Sequence, residues 1–185
     1  INFDSEYGFL RLKQEAIAGG WYLPFYYAHV LAAGLILVIG LFQIFTKYSL
    51  QYKIIHKLLG KMYVYGILLF AAPGGLMMSF FINRGPWVLM SFLGQTALWF
   101  YATAMAIFAI RQGNIIQHRQ WMLRSYALTL AAVTLRLYIF IIHCSVDMAQ
   151  PSSYAIIAWL SWTLNLIFVE LFLLYRPVNK PILAK

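Results

Sequence analysis

Five long apolar runs set the limits on what this chain of 185 residues can fold into. They cover Leu23–Thr46, Leu58–Ile82, Pro86–Ile110, Trp121–Val146 and Ser153–Tyr175. Each is roughly 20–27 residues long, the length that an α-helix needs to cross a hydrocarbon core of about 30 Å. None shows the alternation of polar and apolar residues that is typical of a membrane β-strand. The sequence therefore predicts an all-α bundle of five transmembrane helices.

The composition agrees with this interpretation, because 63% of the residues are hydrophobic and only 10% are charged, whereas a soluble domain has about 25% charged residues. The single cysteine, Cys144, excludes an internal disulfide. The first residue is isoleucine rather than methionine, which leaves room for an upstream segment and a sixth span in the full-length protein.

The basic residues predict how the bundle lies in the membrane. Ten of them fall on one side, at Lys47, Lys53, Lys57, Lys61, Arg111, Arg119, Arg124, Arg176, Lys180 and Lys185. The other side has Arg11, Lys13 and Arg84, together with Asp4, Glu6, Glu15 and Asp147. Since positive loops stay in the cytoplasm, we expect a bacterial inner-membrane protein with its N-terminus outside and its C-terminus inside. The net charge of +9 then reflects this bias and does not indicate nucleic-acid binding.

The same pattern divides the chain into three parts. Residues 1–22 are expected to form an extracytoplasmic amphipathic segment, residues 23–176 the five-helix transmembrane domain, and residues 177–185 a cytoplasmic tail. Within the second span, Pro73, Gly74 and Gly75 predict a kinked or thinned helix. Two interpretations are open for this site: close helix packing through small residues, or room for a cofactor.

Arg136 lies in the middle of the fourth span, where a cation costs about 2.5–3.5 kcal/mol. On a helical wheel, His118, Ser125, Thr129, Arg136 and His143 lie within about 40° of one another and form a polar stripe. We expect this stripe to face the bundle interior, with Glu170 or Asn165 as the acceptor for Arg136. That pair would clamp two helices together. In the alternative interpretation, Arg136 holds an anion or polar oxygen: a haem propionate, a quinone carbonyl or a lipid phosphate.

The four histidines form two pairs, one at each membrane surface. His29 and His143 lie towards the outside, and His56 and His118 towards the cytoplasm. Histidine pairs on neighbouring helices ligate the iron of b-type haems, although such residues can also simply face lipid headgroups. We expect His29 and His143 to be the better iron ligands, because both lie among apolar residues.

Small and polar neighbours accompany these histidines. Gly60 follows His56 by one turn, and Gln43 lies further down the helix that carries His29. His118 and His143 are 25 residues apart, about 37 Å along an unbroken helix. That separation favours one haem, or a quinone site, over two haems that exchange electrons across the membrane.

Several other chemistries are not indicated. The sequence contains no zinc-ligand spacing, no phosphate-binding G-x-x-x-x-G-K-[ST] loop and no G-x-S-x-G elbow. Its five acidic residues are too few and too scattered for a di-iron bundle.

Four stretches resemble a large bacterial family of predicted multi-pass membrane proteins whose domain has no assigned function. They are FYYAHVLAAGLILVIGLFQ (Phe25–Gln43), HKLLGKMYVYG (His56–Gly66), HRQWMLRSYALTLAAVTLR (His118–Arg136) and the W-x-x-N-L-x-x-x-E of Trp162–Glu170. The resemblance implies that His29, His56, His118, Arg124, Arg136 and Glu170 belong to the family pattern. A weaker similarity to four-helix membrane b-type cytochromes implies haem, although this chain carries two of its histidines on one helix.

Three functional hypotheses follow. The leading one is a redox or electron-transfer subunit that binds a b-type haem or a quinone. The second is a non-catalytic subunit of a larger membrane complex, whose exposed aromatics Trp87, Trp99, Trp159 and Trp162 contact a partner or the membrane interface. The third is a small transporter that uses Glu170 and Arg136. In each, the expected partners are membrane lipids and other membrane subunits.

Overall fold

The computed structural model describes residues 8–44, 52–142 and 151–175, and this part of the chain contains helices and turns but no strand. A 3₁₀ turn (Gly8–Lys13) and a short helix α1 (Gln14–Ala18) precede the bundle. Five long helices follow: α2 (Tyr22–Ile44), α3 (Lys53–Phe80), α4 (Pro86–Arg111), α5 (Ile115–Ile142) and α6 (Pro151–Tyr175). All five are long and apolar enough to cross a membrane, so the predicted fold class is confirmed.

Some helices begin earlier than the apolar runs indicate. Helix α3 begins at Lys53 rather than Leu58, and α5 at Ile115 rather than Trp121. The side chain of Asn114 caps α5 by accepting a hydrogen bond of 3.0 Å from the backbone N–H of Gln117. Hydrophobicity marks the membrane-crossing part of a helix, whereas capping sets its end. The predicted span ends Thr46 and Val146 lie outside the described residues.

Four of the helices form a ring. Helix α2 packs on α3, α3 on α4, α4 on α5 and α5 on α2, while α6 packs on the outer side of α4 and α5. Lys53–Gly66 of α3 and Ile115–Thr129 of α5 lie opposite each other across this ring, with their Cα atoms more than 8 Å apart. Side-chain hydrogen bonds from Tyr63 to Ser125 and Thr129 bridge the space between them.

The ring has two ends. The basic end contains Ile44, the start of α3, the short turn between α4 and α5, and Tyr175. The opposite end contains Tyr22, the connection between α3 and α4, and Ile142. Lys53, Lys57, Lys61, Arg111 and Arg119 are at the basic end.

Helix α3 is irregular ahead of Pro73, where Ile67–Ala71 form a π-helical turn. Proline has no backbone N–H to donate, and π-turns are a common accommodation of such a defect. The two glycines that follow pack tightly on α2: a Cβ added at Gly74 would lie 2.8 Å from the carbonyl oxygen of Phe25 and 2.9 Å from Cβ of His29. Helix α2 fills this space, which supports the close-packing interpretation of the Pro-Gly-Gly site.

Helix α5 continues through a slight irregularity at Leu130, whose N–H donates to the carbonyl of Tyr126 (2.9 Å) and whose carbonyl accepts from the N–H of Thr134 (3.0 Å). Side chains of two neighbouring helices bind backbone carbonyls just before Leu130. Asn165 of α6 donates to Ala127 (3.1 Å), and Gln95 of α4 donates to Leu128 (3.4 Å). These hydrogen bonds fix α4 and α6 to α5 at mid-membrane depth.

Candidate functional site

A hydrogen-bonded cluster of five side chains lies at the centre of the ring, formed by Tyr63, Trp99, Thr103, Ser125 and Thr129. The hydroxyl of Tyr63 bonds to Ser125 (3.1 Å) and Thr129 (2.9 Å). Thr103 bonds to Ser125 at 2.8 Å, and Nε1 of Trp99 donates to Thr129 at 3.0 Å. The five side chains come from α3, α4 and α5 and are all buried. We call them the central cluster.

The central cluster is fully satisfied, because the described part of the chain contains no buried side-chain nitrogen or oxygen without a hydrogen-bond partner. It therefore joins three helices through hydrogen bonds. The prediction that Ser125 and Thr129 face the interior is confirmed.

The prediction of exposed tryptophans is partly wrong. Trp87 is exposed, but Trp99 and Trp162 are only 5% and 6% exposed. Trp162 donates its Nε1–H to Ser91 at 3.0 Å. Hydroxyl acceptors inside the bundle allow these indoles to be buried, because a buried indole needs a partner for its N–H. Trp159 is partly buried and donates to the carbonyl of Trp87.

The central cluster fixes the direction in which His56 and His118 point. His56 precedes Tyr63 by seven residues, and His118 precedes Ser125 by seven. Seven residues are about two helical turns, so each histidine shares a face with the cluster residue below it. Since Tyr63 and Ser125 bond across the ring, the two histidines face each other across it at the basic end.

The contacts of this pair hold it in place. Nδ1 of His118 donates to the carbonyl oxygen of Ala106 at 2.8 Å, which leaves Nε2 of the neutral ring with its lone pair. Gln43 donates to the backbone carbonyl of His56 at 3.1 Å, tying the start of α3 to α2. A Cβ added at Gly60, one turn from His56, would meet nothing within 4 Å. Open space thus adjoins the pair.

A second polar group lies towards the opposite end of the bundle. Nδ1 of His29 donates to the carbonyl oxygen of Ala71, in the π-helical turn, at 2.6 Å. Tyr154 of α6 lies towards the same end, and the guanidinium of Arg84 lies 4.5 Å from the centre of its ring. The predicted iron ligand His143 lies outside the described residues.

The prediction that Arg136 points inwards to Glu170 or Asn165 is wrong. Arg136 is exposed on the bundle surface, and Nη1 donates to the carbonyl of Ala132 on its own helix at 2.9 Å. Thr129 is buried, but Arg136, two turns further along α5, is not. Among the described residues, the Ala131–Ile142 half of α5 packs on α6 and on no other helix, so the face that carries Arg136 is uncovered.

Both expected partners of Arg136 are taken by other residues. Glu170 binds Arg124 through two hydrogen bonds, Nε to Oε1 (2.6 Å) and Nη2 to Oε2 (2.8 Å). Asn165 bonds to Thr134 (3.0 Å) and to the carbonyl of Ala127. Arg124 lies closer to the depth of Glu170 than Arg136 does, because it is twelve residues nearer to the basic end of α5. The charge pattern predicts Arg124 to be a loop residue, whereas in the structure it lies within α5.

The Arg124–Glu170 pair borders an apolar groove of about 440 Å³ between α4, α5 and α6. The guanidinium of Arg124 lies 4.7 Å from the centre of the Trp121 ring, which contacts Tyr101 edge to face. This pair stabilises the basic end of the three helices on the side away from the ring interior.

The metal-ligating side chains of the described residues suit a haem iron better than a bare metal ion. In the described residues, no cluster of three or more His, Cys, Asp or Glu side chains could hold a bare metal ion. A b-type haem needs only two axial imidazoles from the protein. The facing pair His56 and His118, with one ring already oriented through Nδ1, fits that requirement.

Comparison with known proteins agrees with the fold. No curated protein and no solved structure matches the chain significantly. A family model described as a predicted membrane protein (DUF2306) matches residues 26–173. This range includes the four stretches that carried the sequence resemblance, except for Phe25 at the start of the first one. The chain therefore belongs to the DUF2306 family of predicted membrane proteins.

Proposed function

We propose that this integral membrane protein is a redox subunit that holds a b-type haem between His56 and His118. The observation that carries the proposal is the placement of these two residues. Each lies two helical turns from a residue of the central cluster, so they face each other at the same end of two opposite helices whose Cα atoms stay more than 8 Å apart. Bis-imidazole ligation needs one donor on each side of a flat macrocycle.

Neighbouring residues would orient the histidine ligand and neutralise the haem carboxylates. The hydrogen bond from His118 to Ala106 orients the ring and favours the tautomer in which Nε2 can ligate, a common arrangement around metal-bound histidines. Lys57 and Arg119 adjoin the two histidines in sequence and would provide cations for haem carboxylates. The haem would supply one-electron transfer; the protein holds it, orients its ligands and keeps the ring interior dry.

This choice differs from the expectation that His29 and His143 are the better ligands. For His56 and His118, both helices are described and the facing geometry follows from the central cluster. For the other pair, only His29 can be placed, and its ring packs on α3.

The experiment is an absorption spectrum of the protein purified in mild detergent, first oxidised and then reduced with dithionite. We expect a Soret band with sharp reduced α and β bands, lost in His56→Ala and His118→Ala. His29→Ala is the matched control and should keep the haem. Each variant must elute and melt like a folded protein.

Two outcomes would overturn the proposal. A folded wild-type protein that is colourless and takes up no added haemin would show that the protein binds no haem. Loss of haem in His29→Ala, with retention in the other two variants, would show that the iron ligands lie at the opposite end of the bundle.

We also propose that the basic end faces the cytoplasm of a bacterial inner membrane, as the charge bias predicts. Cysteines placed at Asn114 and Asn83, in a background without Cys144, test this orientation. An impermeant maleimide added to whole cells should label Asn83→Cys and not Asn114→Cys. The reverse pattern would invert the topology.

A further inference from the structure

We propose that a pocket at the opposite end of the bundle binds a phosphate group, carried by a lipid head group or by a free phosphate anion. The pocket lies between the N-terminal segment, which comprises the 3₁₀ turn and α1, and the end of α3. Its volume is about 530 Å³. The proposal does not depend on haem at His56 and His118, which lie at the basic end.

Contacts hold the two walls of the pocket together. Nζ of Lys13 donates to the carbonyl oxygen of Phe81 at 2.6 Å, which ties the 3₁₀ turn to the end of α3. Leu10, in the same turn, is buried. The ring of Phe81 contacts Tyr22 edge to face, with ring centroids 5.3 Å apart. The pocket is therefore a fixed feature of this end of the bundle.

The side chains that line the pocket are rich in N–H donors. Arg11, Lys13, Gln14 and Asn83 contribute donors, whereas Glu15 contributes a carboxylate. A guanidinium carries five N–H groups in a planar fork that matches two phosphate oxygens. With two cations and one carboxylate in its lining, the pocket suits an anion better than a cation.

Two of the cations retain donors for a ligand. Arg11 is exposed, and among the described residues its guanidinium forms no ion pair. An ammonium group has three N–H donors, of which Lys13 gives one to Phe81. Arg11 and Lys13 can therefore both contact a phosphate without breaking the bond that closes the pocket.

The cations of this end are concentrated at the pocket. The sequence assigns only Arg11, Lys13 and Arg84 to this side of the membrane. The first two line the pocket, and Arg84 follows the lining residue Asn83. Burial, and secondly the charge of Arg84, lower the pKa of Lys13. A bound anion would offset this repulsion, because an opposite charge nearby stabilises the charged form of a lysine.

The pocket lies at the depth of the membrane interface. Phe80, which is exposed, lines it and is the last residue of α3. The exposed Trp21 and Trp87 lie at the ends of the neighbouring helices, and tryptophans are enriched at the level of lipid head groups. A lipid phosphate at this level could reach the cations while its chains pass along Phe80.

The test is isothermal titration of dihexanoylphosphatidylglycerol, and separately of inorganic phosphate, into the detergent-purified protein. We expect saturable binding that is weakened about tenfold or more in Arg11→Gln, as loss of hydrogen bonds from a charged group predicts. Arg111→Gln is the matched control, since it removes another exposed arginine, at the basic end, and should leave the affinity unchanged. Melting temperatures confirm folding.

The two ligands distinguish the two sources of phosphate. Tighter binding of the lipid, lost in Arg11→Gln, identifies a lipid head group, whereas binding of inorganic phosphate with at least the same affinity identifies a free anion.

Three results would overturn the proposal: no binding of either ligand by the wild type, equal affinities of Arg11→Gln and wild type, or equal losses in Arg11→Gln and Arg111→Gln. The last would show that the anion responds only to overall charge. This proposal and the haem proposal fail separately, because Arg11→Gln should keep the Soret band and His56→Ala should keep the phosphate affinity.

Discussion

Replacing Gly40 by alanine should destabilise the bundle, because Gly40 lies where α2 meets two tyrosine rings. A Cβ there would overlap Cδ2 and Cε2 of Tyr126 and lie 2.9 Å from Cε2 of Tyr63. Carbon atoms prefer separations of about 3.5–4.0 Å. Neither ring can retreat freely: Tyr126 donates to the carbonyl of Leu37 at 3.2 Å, and Tyr63 belongs to the central cluster.

Gly34 provides a matched control on the same helix, since a Cβ there would meet nothing within 4 Å. Both replacements gain the helix preference of alanine, about 0.5–1 kcal/mol. Only Gly40→Ala adds the penalty of overpacking, about 1–3 kcal/mol. The free energies of unfolding of the two variants should therefore differ by about 1–3 kcal/mol.

For a chain of this size, 1 kcal/mol corresponds to about 2–4 °C in melting temperature. We expect Gly40→Ala to melt about 2–12 °C below Gly34→Ala, measured by circular dichroism in detergent. Equal melting temperatures would refute the close contact of α2 with Tyr63 and Tyr126, and with it the placement of the central cluster.

Three further predictions concern other contacts. Tyr63→Phe removes two hydrogen bonds from the central cluster and should lower the free energy of unfolding by about 1 kcal/mol, at about 0.6 kcal/mol per bond. A decrease above about 3 kcal/mol in the same melting assay would contradict this, because it would require a change in ring packing as well as the loss of the hydroxyl. Glu170→Gln should cost up to about 1 kcal/mol, because the pair is partly solvated; adding Arg124→Gln should then cost little more, and full additivity in this double-mutant cycle would contradict the pairing. Burial, and secondly the charge of Arg84, lower the pKa of Lys13 below its usual 10.5. The unfolded chain thus holds this proton to higher pH, so stability should rise with pH between the folded and unfolded pKa values. NMR titration of ¹³C-methylated lysines, with Lys13→Arg for assignment, should show one resonance that titrates early, and its absence would contradict the burial of Lys13.

The candidate site was predictable in part. Regular helical spacing places His56 with Tyr63, and His118 with Ser125, so the shared faces follow from the sequence. Which faces meet does not follow from it, because Tyr63 and Ser125, which are in contact, are 62 residues apart in the chain. Thr103 and Trp99 gave no comparable signal, since a single polar residue in an apolar helix does not indicate its partner.

The five spans and the charge bias of their ends follow from local composition, because a bilayer requires about 20 apolar residues wherever a helix crosses it. The family follows from the sequence match over residues 26–173. The partners of the polar residues inside the spans depend on how the helices pack. Glu170 binds Arg124, not Arg136, because α6 packs on the Ile115–Thr129 half of α5 at the depth of Glu170. Side-chain packing between helices sets the rotation of each helix about its axis. The sequence pattern of one helix alone does not determine this rotation.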